Sequence, residues 1–138
     1  MARTPRPNYR PSDDELFMGP KQKEYFRQKL DRWRDELLEE ANETREHLSE
    51  SDGVESDIAD RASVETERSL ELRTRDRARK LIGKIDEALI RIENGTYGYC
   101  EETNEPISLR RLEARPIATL GIEAQERHER MEKTQRDD

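Results

Sequence analysis

Ala78-Arg79-Lys80-Leu81-Ile82-Gly83-Lys84-Ile85-Asp86-Glu87-Ala88-Leu89-Ile90-Arg91-Ile92 carries a seam of Ala78, Ile82, Ile85, Leu89 and Ile92, in steps of 4, 3, 4 and 3. This alternation draws one apolar edge along an α-helix at the coiled-coil interval, so the segment needs a partner helix. A partner lies upstream, where Phe26, Leu30, Trp33 and Leu37 step by 4, 3 and 4. Both seams thin toward the residues between them, to Ala41, Thr44 and Leu48 on one side and Ala62, Ser69 and Leu72 on the other. The strong halves meet only if the helices run antiparallel, with a turn near residues 50–55, where Ser51-Asp52-Gly53 supplies turn chemistry. The spacing predicts helices over about Lys21–Glu50 and Asp57–Glu93, a helix of about 30 residues rising roughly 45 Å, with an apolar base and a polar, weakly zipped tip.

Composition agrees with a narrow seam. Of 138 residues, 30% are hydrophobic, 5% aromatic and 43% charged, too lean for one compact globule. Disorder is the other reading of such a composition, and the sustained 3/4 stepping argues against it. The net charge of -7, from 33 acids and 26 bases, makes the chain a poor autonomous binder of duplex nucleic acid. Arg73, Arg75, Arg77, Arg79, Lys80 and Lys84 lie along the second helix with acids interleaved, the pattern of a solvated coiled-coil face. A second basic group, Arg110, Arg111 and Arg115, joins Lys84 as a candidate holder of a phosphorylated ligand. No apolar run reaches membrane-spanning length, no signal-peptide core follows Met1, and a lone cysteine forms no internal disulfide. These features predict a soluble, cytoplasmic protein.

The flanks have their own punctuation. Residues 1–12, with Pro5, Pro7 and Pro11, read as a flexible arm. Ser12-Asp13-Asp14-Glu15 predicts a cap and a short helix through Met18, broken by Gly19-Pro20. Asn94-Gly95 suits a left-handed helix end, and residues 97–107 are turn-rich. Leu109, Leu112, Ile117, Leu120 and Ile122 predict a small core, followed by a helix over about Ala118–Lys133. The expected fold is mainly α: an arm and short helix at 1–20, a coiled-coil hairpin at 21–94 with its tip near 51–62, and a small globular region with a C-terminal helix at 95–138.

Two places offer chemistry. At the tip, Asp57-Ile58-Ala59-Asp60-Arg61-Ala62 places two acids one turn apart; they read as a capping box, or as ligands that hold or compete for a divalent cation. Cys100 is followed at the zinc-knuckle interval by Thr103 instead of a second cysteine, and His47 and His128 are too scattered to complete a ligand set. The lone thiol reads as a small buried hydrophobe or as a redox sensor, the latter without a flanking cation to lower its pKa. No Ser/His/Asp set, phosphate-cradling glycine loop or paired histidines appear in the sequence, which argues against an enzyme.

Four motifs taken together resemble the DksA/TraR family of transcription regulators: D-I-A-D-R-A at 57–62, R-D-R-A-R-K-L-I-G-K-I at 75–85, Y-G-Y-C at 97–100 and R-R-L-E-A-R-P at 110–116. The resemblance implies binding to RNA polymerase without sequence-specific DNA contact, through insertion of the coiled coil into the polymerase secondary channel. Asp57, Asp60 and Ala62 would then reach the active centre and destabilise short-lived open complexes, such as those of ribosomal RNA promoters. It also implies a site for the stringent-response nucleotide ppGpp at the polymerase interface, with Lys84 and Arg115 matching family contacts and Leu81 close by. A further family lysine falls on Gln125 here. Arg73, Arg77 and Arg111 match positions tied to polymerase contact or internal arrangement. The family's four zinc ligands fall on Cys100, Thr103, Gly121 and Ala124, so the resemblance is to a zinc-independent, zinc-finger-like variant, with no structural metal expected and a monomeric state. The alternatives are a Gre-like transcript-cleavage factor, whose tip acids would hold a second Mg²⁺, and a structural coiled-coil adaptor.

Overall fold

In a computed structural model of the chain the described residues are 9–50 and 58–137, with side chains at 9–43 and 61–135. The helices in order are α1 (Pro20–Glu50), α2 (Ile58–Asn94), α3 (Leu109–Ala114) and α4 (Ile122–Asp137). Among the described residues there is no β-strand, and pairing is confined to a bridge between Tyr99 and Pro106. Pro20 opens α1, where its fixed φ fits and its missing N–H costs nothing. α2 ends as Asn94-Gly95 predicts: Gly95 takes φ 81° and the Thr96 N–H reaches back to the Arg91 carbonyl at 2.9 Å. The chain forms two compact units, Asp31–Asp86 and Met1–Leu30 with Glu87–Asp138.

Within Asp31–Asp86, α1 and α2 run antiparallel. The Arg34 Nε donates to Asp86 Oδ1 at 2.8 Å at one end. Buried Leu37, Ala78 and Ile85 close the seam, with Trp33 and Ile82 half-buried beside them. The inward line on α2 is Val64, Glu71, Ala78, Ile85 and Ile92, a strict seven-residue repeat that passes from half-buried to buried. The expected near-half seam of Ala62, Ser69 and Leu72 is therefore corrected, since all three are exposed. The inward line passes through Val64 and Glu71 there, which turns Ala62, Ser69 and Leu72 toward solvent.

The other unit is a small core around the base of α1 and the end of α2. Phe26 and Leu30 are fully enclosed, as is Ala88, while the expected Leu89 is half-buried. The Phe26 and Tyr97 rings lie 5.6 Å apart between centroids. Burial pushes the Tyr97 phenol pKa up, and its protonated hydroxyl donates to the Pro116 carbonyl at 2.8 Å. The expected helix over Ser12–Met18 is instead a pair of turns, closed by Glu15 N–H to Ser12 O at 3.1 Å and Gly19 N–H to Leu16 O at 3.1 Å. Met18 adopts φ 51°, a left-handed conformation that stops any helix. Its N–H donates to Gln22 Oε1 at 2.8 Å, and Gln22 Nε2 donates to the Ser12 carbonyl at 3.2 Å. This fully buried glutamine, unmarked in the sequence, pins the turns to α1. The arm is anchored from residue 9, because Tyr9 donates to Glu15 Oε2 at 2.5 Å and Arg10 to the Tyr25 hydroxyl at 2.9 Å.

α3, too short to show a helical period in the sequence, is capped by Ser108, which accepts from the Arg111 N–H at 3.2 Å. α4 starts at Ile122, not at Ala118. The reason is that the Thr119 carbonyl accepts from Glu101 N–H at 2.9 Å and the Leu120 carbonyl from Arg111 Nε at 2.9 Å. Those residues are spent holding the loop before the helix can begin. Ile122, expected in the core, is 54% exposed, and Ala124 is buried in its place.

Candidate functional site

The tip residues come first. Asp57 lies outside the described residues; Asp60 stands in the first turns of α2, with its side chain outside them. Ala62 is exposed, and its carbonyl accepts from Thr66 Oγ1 at 2.9 Å.

Farther along α2, Arg73, Arg77 and Lys84 are exposed and Leu81 is half-buried. At 3.6 residues per turn, Ala62, Thr66, Leu70, Arg73, Arg77, Leu81 and Lys84 all fall within about 100° of arc. One face of the helix thus joins the tip alanine to the basic residues singled out in the sequence. Arg79, off this face, pairs loosely with Asp76 at 3.4 Å.

The other predicted residues belong to the second unit. Arg115 caps α3, its N–H donating to the Arg111 carbonyl at 2.7 Å and its side chain exposed. Arg111 is half-buried and spends its Nε on the Leu120 carbonyl, which favours the internal role over a contact role. Gln125 is half-buried and donates to Glu129 Oε1 at 3.3 Å. Leu81 and Lys84 sit in the Asp31–Asp86 unit, Arg115 and Gln125 in the other.

The knuckle positions are drawn together around one sulfur. A tight turn runs from Cys100 to Glu105, with Cys100 N–H donating to Glu105 O at 2.8 Å and Asn104 N–H to Cys100 O at 2.9 Å. Asn104 adopts φ 60°, the left-handed conformation that its residue type suits. Burial pushes the Cys100 thiol up, but hydrogen bonds from the Thr103 hydroxyl and the backbone N–H groups of Gly121, Thr103 and Glu102 outweigh it and lower the pKa to about 7. The remaining position, Ala124, is buried at the start of α4. From α4, His128 bonds Glu102 and Arg127 approaches it at 3.6 Å, tying the helix to the turn.

This donor set does not fit a tetrahedral zinc site. It has one thiol, a hydroxyl already bonded to it, a glycine and an alanine, whereas structural zinc takes four Cys or His ligands. Among the described residues, no three His, Cys, Asp or Glu side chains gather to hold a metal.

Comparison with known proteins follows the same division. The family described as DnaK suppressor protein DksA, N-terminal domain, matches residues 22–92. The prokaryotic dksA/traR C4-type zinc finger matches residues 95–130, although three of its four cysteines are replaced here. The RNA polymerase-binding transcription factor DksA of Caulobacter vibrioides is 63% identical over 131 residues, covering 95% of this chain and 92% of its own. The Escherichia coli K12 protein of the same name is 44% identical over 115 residues, 83% of this chain and 76% of its own. Among solved structures, transcription factor DksA2 from Pseudomonas aeruginosa superposes with a TM-score of 0.78 at 47% identity, covering 85% of this chain and 90% of that one. Two successive matches in the order hairpin then knuckle, and identity sustained over nearly the full length, make the chain a member of the DksA family.

Proposed function

We propose that this protein is a regulator of transcription initiation that binds RNA polymerase and enters its secondary channel with the hairpin. The observation that carries this is the 63% identity, over nearly all of both chains, to a protein named for binding RNA polymerase. The geometry supports it in kind. A two-helix rod is slender, its solvent faces are charged enough to stay soluble when free, and its inward line on α2 passes from buried Ile85 and Ala78 to half-buried Glu71 and Val64.

In this reading Asp57, Asp60 and Ala62 meet the active-centre region, where two carboxylates add negative charge close to a bound Mg²⁺. Short-lived open complexes at ribosomal RNA promoters collapse as a result. The nucleotide ppGpp strengthens the effect, with Lys84 and Arg115 holding its phosphates and Leu81 lining the site. Gln125 offers no charge to that nucleotide, which weakens the dependence on it. Arg73 and Arg77 contact the polymerase. The protein works without a catalytic centre or structural zinc of its own, as a cytoplasmic monomer that reads no DNA sequence. No helix among the described residues is long and apolar enough to cross a membrane.

The test is transcription in vitro from a ribosomal RNA promoter, with and without ppGpp, comparing the native chain with Asp60→Asn. The native protein inhibits and Asp60→Asn does not, while both bind polymerase. Inhibition retained by Asp60→Asn removes the tip assignment, and vigorous cleavage of backtracked transcripts replaces it with a Gre-like role.

A further inference from the structure

On a rod sheathed in charge, two leucines two residues apart stand out. Leu70 is 55% exposed and Leu72 is 48% exposed. They point in different directions, since two helical steps separate them by about 160° around the axis. Leu70 falls on the face that runs from Ala62 to Lys84, between Thr66 and Arg73; Leu72 does not.

That face changes character along its length. Thr66 turns its hydroxyl back to the Ala62 carbonyl at 2.9 Å, which leaves its methyl outward. Ala62, Thr66 and Leu70 therefore make a short apolar strip beside the tip. Arg73, Arg77 and Lys84 make a basic strip beyond it. The seam does not need Leu70, because Ala78 and Ile85 close the hairpin farther down.

We infer that Leu70, with the methyl groups of Thr66 and Ala62, forms an apolar contact strip that seats on an apolar wall of RNA polymerase. The inference rests on the polymerase-binding reading above. The strip runs from Ala62 to the basic residues Arg73, Arg77 and Lys84, so an occupant touching both ends covers Leu70 between them. An exposed leucine then loses its water on docking, a gain that leaves no buried polar group unpaired.

The experiment pairs the two leucines. Purified polymerase is titrated with the native chain, Leu70→Gln, Leu70→Met and Leu72→Gln, with helix content checked by circular dichroism. Glutamine and methionine both favour helix, so all variants fold. Leu70→Gln binds about tenfold more weakly, Leu70→Met keeps native affinity, and Leu72→Gln stays within about twofold. Equal losses for both glutamine variants, or no loss for Leu70→Gln, overturn the strip. Self-association of the free chain that Leu70→Gln abolishes, with polymerase binding unchanged, overturns it too by assigning the leucine to a second copy. If the native chain itself fails to bind, the polymerase reading falls first and takes this inference with it, an outcome distinct from a selective failure at Leu70.

Discussion

At Cys100 the sequence and the structure divide the answer between them. Burial was one reading of a lone cysteine with no second ligand at the knuckle interval, and the thiol is 3% exposed. The source of its acidity was not legible, because a sequence reader looks for a cation and the groups responsible are backbone N–H donors gathered by the turn. A thiol lowered to about 7 in the folded state, against about 8.5 when unfolded, adds stability only where the folded state is the less protonated. That contribution is complete above the unfolded pKa and vanishes as pH falls through the folded one. Urea unfolding of the native chain and Cys100→Ser therefore gives curves whose gap widens in favour of the native chain between about pH 7 and 8.5. Parallel pH profiles would remove the thiolate from this account. Gly98 makes a second test. It sits at φ 89°, and an added Cβ would stand 3.1 Å from Met18 Cγ and 3.2 Å from Phe17 Cζ. Gly98→Ala is expected to lose about 2 kcal/mol in urea unfolding, from backbone strain and the displaced arm together.

The long helices were the most legible elements, since a 3/4 apolar rhythm has one economical explanation. Phe26, Leu30, Leu37, Ala78, Ile85 and Ile92 are buried as their spacing predicts. The rhythm misled where side-chain size and position disagreed: Ala88 enters the core and Leu89 stays half out, because a small residue lets the packed surfaces close. The short elements were harder. Met18 at positive φ, the buried bonds of Gln22, and the Thr119 and Leu120 carbonyls committed to distant donors all depend on tertiary partners that no local pattern announces. Of the candidate site, the sequence placed Arg73, Arg77 and Lys84 along the second helix, whereas the face they share with Ala62 and Leu81 and the internal bond of Arg111 came from the fold. Within the hairpin, the relative worth of packing and charge is measurable. Leu37→Ala is expected to cost about 2–3 kcal/mol. Asp86→Asn, which weakens a solvent-screened pair with Arg34, costs under about 1 kcal/mol. A larger loss for Asp86→Asn than for Leu37→Ala would mean that the ion pair, not the seam, holds the hairpin closed.

For the molecule as a whole, the question is how a zinc-finger region persists with three of its four cysteines replaced. The residues present supply links of their own. Cys100 accepts hydrogen bonds where a thiolate would bind zinc, Tyr97 ties the region to Pro116, and α4 reaches back to Glu102. The four-ligand arrangement can be tested by restoring it. A Cβ at Gly121 meets nothing within 4 Å, so a side chain can start there without a clash. Thr103 and Gly121 already converge on the Cys100 sulfur. The combined variant Thr103→Cys, Gly121→Cys, Ala124→Cys is expected to bind one zinc ion, with a thermal midpoint that falls when a chelator is added. The native chain, carrying one thiol, is expected to hold no zinc by elemental analysis and to keep its midpoint in the same chelator. Stoichiometric zinc in the native protein would show that the donor set is completed by some other arrangement. Failure of the four-cysteine variant to bind metal would show that the turn has drifted from ligand geometry, with only the hydrogen bonds around Cys100 still keeping its outline.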